Sequence, residues 1–306
     1  MSIEPHLYAS AVRQAESGKP FMGETLWVLP ETTSTMSAVD ALIGKGCTRK
    51  TVIALRQTAG RGTDDVAAGT TRKWWSGEGN LMFSSIVNIK GYAREAEFIA
   101  ALAVAEIIAD LLPNKAVELK YPNDVLVNGA KICGCLVVTD DKNYYSAAEQ
   151  RITFGVGVNL AATPPSSAFR EKATVQDATC LKAHKVNRSI ADFMPLFDEK
   201  FNEVMNEYRK QGFVYVLQRI GFADSDGKIC LCRRTTGECV KGAYSGLSTE
   251  KRDNGFYVNK LLLDTGESKP NILPLGEYYA ATARIKSPLR KNLSASSTGR
   301  YVRNHG

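Results

Sequence analysis

The chain has 306 residues, 44% of them apolar, and a formal net charge of +7. That length buries a substantial core and divides naturally into one large and one small domain, while the lack of any run of about 18 apolar residues excludes a membrane-spanning helix. Residues 281–306 hold Arg284, Lys286, Arg290, Lys291, Arg300 and Arg303 and no acidic residue. The body is therefore nearly neutral, which weighs against a basic RNA-binding module and marks the end as a solvated tail.

The first thirty residues mix Glu4, Glu16 and Glu24 with few arginines and no apolar block, the composition of neither a secretory signal nor an Arg-rich transit peptide. A cytoplasmic, reducing location is expected, with mitochondria as the alternative. Trp27 to Pro30 reads as a strand. "TTSTMSAVDALIGKG" follows with hydroxyl residues suited to an N-cap, a stripe of Val39, Leu42 and Ile43, and Gly44 and Gly46 as a stop. "TVIALRQ" (51–57) and "NLMFSSIVNI" (80–89) are β-branched and apolar, hence strands. Between them residues 59–79 carry almost no apolar pattern and read as a long functional loop.

Arg94 to Leu112 places Phe98, Ile99, Leu102, Ala105, Ile108 and Leu112 at helical spacing before Pro113. Two strands then meet at Asn128-Gly129, a strong hairpin signal. "RITFGVGVNL" (151–160) is a glycine-dense strand, and Phe193, Phe197, Phe201, Val204 and Tyr208 define a helix stopped by Gly212. After Gly221 short alternating segments separated by turn clusters predict a small all-β module. The expected division is an N-terminal extension (1–24), a main domain (25–220), the β module (221–282) and a basic tail (283–306).

Seven cysteines at scattered positions argue against a disulfide framework. Cys133 and Cys135, like Cys230 and Cys232, are two apart and share one face of a strand, which reads as small buried core residues. Zinc is not expected, because His6, His184 and His305 lie far in sequence from either pair and further ligands are needed.

Chemistry concentrates in two places. "QTAGRG" (57–62) leaves a strand with Arg61 between two glycines, either a tight turn with a surface arginine or a close-approach loop that grips a carboxylate or phosphate. In "LKYPNDVLVNGAKICGCLVV" (119–138), Lys120 leads into the first strand of a hairpin and Lys131 opens the second. Asn123 and Asp124 offer oxygens suited to a phosphate-bound Mg²⁺, and Lys131 offers a point charge. Each residue alone also has a purely structural reading. "GVGVNL" (155–160) lacks the third glycine of a dinucleotide fingerprint, and no Walker A sequence exists.

"QTAGRG", "RKWWSGEGNLMFSS" (72–85), "KYPNDVLVNGAKICGCLVV" (120–138) and "GVGVNL" occur in the order and approximate spacing of the biotin-protein ligases, which this chain resembles over residues 27–160. The resemblance implies an α/β fold of the α+β kind, a mixed sheet with helices on one face, and an SH3-like C-terminal domain. It implies activation of biotin with MgATP to biotinoyl-5'-AMP, then transfer to a lysine of a carboxylase's biotin carboxyl carrier domain. By the same resemblance Ser34, Thr35 and Gln57 would bind biotin's ureido end, and Gly60, Arg61 and Gly62 would clamp the adenylate. Trp74 would meet the adenine, with Trp75 anchoring the loop. Asn123, Asp124 and Asn159 would serve ATP and Mg²⁺, Lys131 would touch biotin's carboxyl and the α-phosphate, and Gly134 would leave room for biotin. Lys131, Arg61 and Asp124 would be the catalytic set.

One departure from the family pattern stands out. Thr63 replaces a second arginine, and "TDDVAAGTT" (63–71) precedes Arg72, so Arg72 or Lys73 is expected to supply the missing charge. Only 26 residues precede Trp27, so the N-terminal DNA-binding domain of some family members, and sequence-specific DNA binding with it, is not expected. The state is monomer or homodimer. Rival functions are a lipoate or octanoate ligase, which would lack the Lys-aromatic-Pro-Asn-Asp hairpin, and a non-catalytic biotin sensor, which would bind without releasing pyrophosphate.

Overall fold

The computed structural model describes residues 26–44, 51–65, 70–120, 123–138, 145–165, 177–233, 235–251, 257–274 and 278–280. The expected N-terminal extension and basic tail, with Gly46, Cys47, Tyr121, Pro122, His6 and His305, lie outside these residues, as does the side chain of Arg72. Among the described residues no helix is long and apolar enough to cross a membrane.

The elements run β1 (Leu26–Leu29), α1 (Thr35–Gly44), β2 (Thr51–Ala54), β3 (Arg61–Asp65), β4 (Thr70–Lys73), β5 (Leu81–Tyr92), α2 (Glu95–Leu111), β6 (Val117–Lys120), β7 (Asp124–Val127), β8 (Ala130–Val138), β9 (Tyr145–Val158), α3 (Ile190–Gln211), α4 (Phe213–Arg219), β10 (Lys228–Arg233), β11 (Cys239–Lys251), β12 (Tyr257–Asp264), β13 (Asn271–Pro274) and β14 (Tyr278–Ala280). Seven strands form one sheet in the order β1-β2-β5-β9-β8-β7-β6. It is mixed, because β1 and β2 pair parallel while the remaining neighbours pair antiparallel. A second, antiparallel sheet has the order β13-β12-β11-β10-β14.

Strand side chains alternate between faces, and here the alternation separates two cores. Ile53, Phe83 and Phe154 join Phe98 of α2, Phe197 and Phe201 of α3 and Phe213 of α4 in the main core. Each fully buried phenylalanine contributes about 1.5–3 kcal/mol of apolar burial. Val52 and Ile86, of opposite parity, pack instead with Ala38, Val39 and Leu42 of α1. Among the described residues three helices thus cover one face and α1 packs on the other, a correction to the expected one-sided arrangement. The reason is that Val52 and Ile86 leave an apolar patch on the second face that α1's short stripe matches.

Helix α3 begins with a reciprocal cap between Ser189 and Asp192 and ends at Gly212, whose φ of 76° permits the chain reversal. Asn128 and Gly129 have φ of 50° and 83°, the two positive values that a type I′ hairpin turn demands. That turn joins β7 to β8 as expected, but Lys120 ends β6 and pairs with Asp124. The region is therefore a three-strand meander rather than one hairpin. Part of the expected long loop is also ordered, since β3 and β4 pair as a small hairpin with Arg61 opposite Lys73.

The cysteine reading needs one correction. Cys133 and Cys135 are buried as expected, with sulfurs 3.9 Å apart. In β10 Cys232 is also buried, at 4% exposure, but it is disulfide-bonded to Cys239, while Cys230 is exposed, because Ile229 and Leu231 face the core and the cysteines take the opposite face. The short β10–β11 connection sets Cys239 directly opposite Cys232.

Where the two sheets' layers meet, Glu95 at the start of α2 is buried, with Tyr208 of α3 donating to its Oε2 at 2.6 Å and Tyr244 of β11 to its Oε1 at 2.9 Å. Burial pushes its carboxyl up to about 7.

Candidate active site

On the α1 face of the large sheet lies a narrow cleft, open to solvent. Register builds its floor. Met82, Gly157, Gly134 and Asp124 are successive lateral partners across β5, β9, β8 and β7, and Ser84, Gly155 and Leu136 form the next row. Three of these seven floor positions are glycine, and the space is taken by side chains from above. A Cβ on Gly157 would stand 2.3 Å from Cε2 of Trp74, and one on Gly134 2.9 Å from its Cζ3, so the indole lies flat on bare backbone. Met36 covers Gly155 in the same manner, its sulfur 3.2 Å from where a Cβ would be.

Lys131 sits at one end. Its Nζ is 2.6 Å from Asp124 Oδ1 and 5.4 Å from the centroid of the Trp74 ring, within cation–π range. Its backbone is clamped. The Lys131 N–H donates to Asp177 O at 2.6 Å, and its carbonyl accepts from the Thr179 N–H at 2.9 Å. A bulge at Ile132, between the pairs Leu126↔Lys131 and Val125↔Cys133, offsets Lys131 from the regular ladder. Asn123 lines the cleft and donates its amide to Cys135 O, tying the start of β7 to β8.

The opposite end is polar and neutral. Gln57 Oε1 accepts from the Thr35 N–H at 2.8 Å, satisfying one of the orphan donors at the start of α1. Thr35 Oγ1 and Ser84 Oγ are 2.7 Å apart, and Gln57 Nε2 donates to Ser76 Oγ at 3.2 Å. Ser34 completes this lining. At the rim Arg61 is exposed and donates to Ser37 Oγ at 2.9 Å. Gly62 lines the cleft beside it.

The structure therefore gathers Ser34, Thr35, Gln57, Arg61, Gly62, Trp74, Asn123, Asp124, Lys131 and Gly134 around one cleft. Gly60 stands just behind, its carbonyl accepting from the Trp74 N–H at 2.9 Å. Asn159 is placed differently from expectation. It is 2% exposed and does not line the cleft, and its amide donates to Thr179 O at 3.1 Å while its backbone N–H donates to Ile132 O at 2.8 Å. These bonds hold Asp177–Leu181 against β8, so Asn159 braces the segment that clamps Lys131 instead of reaching the cleft. Trp75 covers Gly77, and Lys73 is exposed.

Met36, Ser84, Gly155 and Gly157 are cleft residues that the sequence reading did not single out individually. The glycine pair did carry a signal. Residues two apart in a strand share a face, and two glycines on one face mark a place where something else lies close.

The indole's position gives a direct prediction. Gly157→Ala forces Trp74 off the floor, and overpacking of this kind costs about 1–3 kcal/mol. Adding Trp74→Ala should recover most of that loss, because the clash is then gone. Urea unfolding of the single and double variants measures it. Additive losses would mean that Trp74 does not rest on Gly157.

Residues 28–159 match the family described as Biotin/lipoate A/B protein ligase family. The chain is 33% identical over 237 residues to the Biotin--[acetyl-CoA-carboxylase] ligase of Paracoccus denitrificans, covering 74% of this chain and 89% of that protein. It is 27% identical over 151 residues to Biotin--protein ligase 2 of Arabidopsis thaliana, of which it covers 43%. In fold it resembles the biotin protein ligase of Aquifex aeolicus solved in complex with biotin and ATP, with a TM-score of 0.53 at 22% identity over 85% of this chain and 99% of that one. It likewise resembles the ligase of Leishmania major solved in complex with biotinyl-5-AMP, with a TM-score of 0.51 at 20% identity over 82% and 98% of the two chains. A matched cleft domain together with a relative aligned over nearly its whole length places the chain: it belongs to the biotin/lipoate A/B protein ligase family, among its biotin protein ligases.

Proposed function

We propose that this protein activates biotin with ATP and transfers it to a lysine of a carrier domain of a biotin-dependent carboxylase. The observation that carries this reading is the juxtaposition of Lys131 and Asp124 with the Trp74-covered glycine floor, closed at the far end by Ser34, Thr35, Gln57 and Ser84. A ligand with a polar, uncharged ring, an apolar chain and a terminal carboxylate matches that sequence of surfaces. The names of the aligned relatives support the choice of biotin.

In the first half-reaction biotin's carboxylate oxygen attacks the α-phosphorus of ATP. The new C–O–P bond forms as the bond to pyrophosphate breaks, and negative charge builds on the α-phosphoryl oxygens. Lys131 stands where it can neutralise that charge and the attacking carboxylate together, and Arg61 at the rim supplies a second cation. In the second half-reaction a carrier lysine's amine attacks the acyl carbon, and AMP leaves. The mixed anhydride is hydrolytically labile, so covering it matters, and the Trp74 loop is the element positioned to do so.

The donor set suits Mg²⁺ bound with its nucleotide. Asp124 is the sole carboxylate among the described residues that line the cleft, and Mg²⁺ characteristically takes one or two carboxylates, substrate phosphates and water. Asp124, with Asn123 beside it, would hold the ion, which would supply charge neutralisation of the phosphates.

Exchange of labelled pyrophosphate into ATP tests the reading. Biotin should support exchange, whereas lipoate and octanoate should not. Binding of biotin with no exchange would replace the ligase reading with a sensor, and exchange with lipoate would move the chain to the other branch of its family.

A further inference from the structure

Three cysteines stand together on the face of the C-terminal sheet that turns away from Ile229 and Leu231. Cys230 and Cys232 are two apart on β10, and Cys239 of β11 is the direct cross-strand partner of Cys232. Their sulfur atoms all lie within 4.8 Å of one another. Three thiolates around a tetrahedral ion with metal–sulfur bonds of about 2.3 Å stand about 3.8 Å apart, a spacing that Cys230 already approaches and that Cys232 and Cys239 reach only once the bond between them is broken.

We propose that Cys230, Cys232 and Cys239 form a redox-gated site for a thiophilic cation of the zinc class. Cys232 and Cys239 are joined by a disulfide, which closes the site. A small dithiol opens it by giving up two electrons and two protons, becoming a disulfide itself and leaving thiols on Cys232 and Cys239. A divalent ion then displaces the protons of all three thiols and binds three sulfurs, with solvent or a further group in a fourth position.

The scaffold does not depend on the disulfide to hold the sulfurs in register. Residues Lys228 to Cys232 pair continuously with Cys239 to Ala243. The connection is fixed by the Arg233 N–H donating to Glu238 O and the Gly237 N–H donating to Arg233 O, both at 2.8 Å. Gly237 has φ of 73°, which this tight connection requires. Preorganised ligands lose little freedom on binding. Three thiolates and a divalent ion leave one net negative charge, and Lys241, the residue opposite Cys230, lies near it while also pairing with Asp224 at 3.3 Å. Soft sulfur donors of this kind select zinc-class and cuprous ions over magnesium or calcium, so the site is chemically separate from the cleft.

The test uses the full chain, reduced with a phosphine that is then removed without air. It is titrated with Cd²⁺ while the sulfur-to-cadmium charge-transfer absorption is read. Reduced protein should show a sharp endpoint at a single equivalent, and disulfide-bonded protein should not. Cys230→Ser should lose the sharp endpoint, and the triple serine variant should lose the band. A second readout, on the unsubstituted chain, is protection from alkylation by bound Cd²⁺, mapped by peptide mass, which should fall on these three cysteines. No endpoint in reduced protein, an unchanged endpoint in the triple variant, or protection mapped to other cysteines would each overturn the proposal.

Discussion

Replacing Lys131 by alanine is expected to lower biotin-dependent pyrophosphate exchange by about 10²- to 10³-fold, the usual loss when one preorganised donor to developing negative charge is removed. The same change leaves Asp124 without its cation at 2.6 Å. That carboxylate then faces the incoming substrate carboxylate and phosphates uncompensated, which adds repulsion to the lost attraction. Lys131→Arg should recover little, since a planar guanidinium does not reproduce a compact ammonium held between a carboxylate and an indole face. The double variant Lys131→Ala/Asp124→Ala separates the two contributions. A double variant more active than Lys131→Ala alone would show that repulsion outweighs the Mg²⁺-ligand role proposed for Asp124, and a less active one the reverse. Exchange in Lys131→Ala within a few-fold of the parent would remove Lys131 from the chemistry.

Glu95 should make stability fall as pH rises from about 4.5 to about 7. Geometry gives the reason. The Tyr208 hydroxyl faces two acceptors, Lys90 O and Glu95 Oε2, yet it has one hydrogen to give. One hydrogen cannot serve both acceptors fully, so the charged carboxylate is left short of a donor and the neutral form is favoured. Burial favours the same neutral form and is the largest cause of the upward shift. Because the folded state holds this proton more tightly than the unfolded one, the contribution is complete below the unfolded value of about 4.5 and lost as pH passes the folded value. The interval corresponds to on the order of 3 kcal/mol. Glu95→Gln, neutral at every pH, should remove this slope and be more stable than the parent at pH 8. Urea midpoints from pH 5 to pH 8 measure both. Parallel curves for the two proteins would show that Glu95 does not hold its proton.

What could be seen in the sequence was whatever one stretch of chain encodes by itself. Helix α3 announces its apolar stripe and its Gly212 stop, and Asn128-Gly129 names its own turn type. Ser34, Thr35, Gln57 and Lys131 were legible as cleft residues through the family resemblance, whereas Ser84 was not. The β3–β4 hairpin was not, because its strands contain no apolar alternation and are recognisable only by their mutual pairing. Nor could the sequence tell that Asn159 would bind the backbone of Thr179 rather than face a ligand, because the partner segment is 20 residues away. The floor was invisible for a related reason. Period-two spacing tells which residues of β9 share a face, but only cross-strand register brings Gly157 beside Gly134 and Met82. The Cys232–Cys239 bond likewise follows from hairpin register that cysteine counting does not contain.

The strand order β1-β2-β5-β9-β8-β7-β6 has a consequence for the protein's synthesis. The central strand, β9, is the last of the seven to leave the ribosome, and it pairs with both β5 and β8. Until residue 158 has emerged, β1, β2 and β5 lack the strand that joins them to β6, β7 and β8, and the edges it would cover hold Ile86, Val87 and Ile89 on β5 and Ile132 and Val137 on β8. Such edges invite association with other chains. Gln57 and Ser84 belong to one half and Lys131 and Asp124 to the other, so a polypeptide arrested before β9 carries both ends of the cleft without bringing them together.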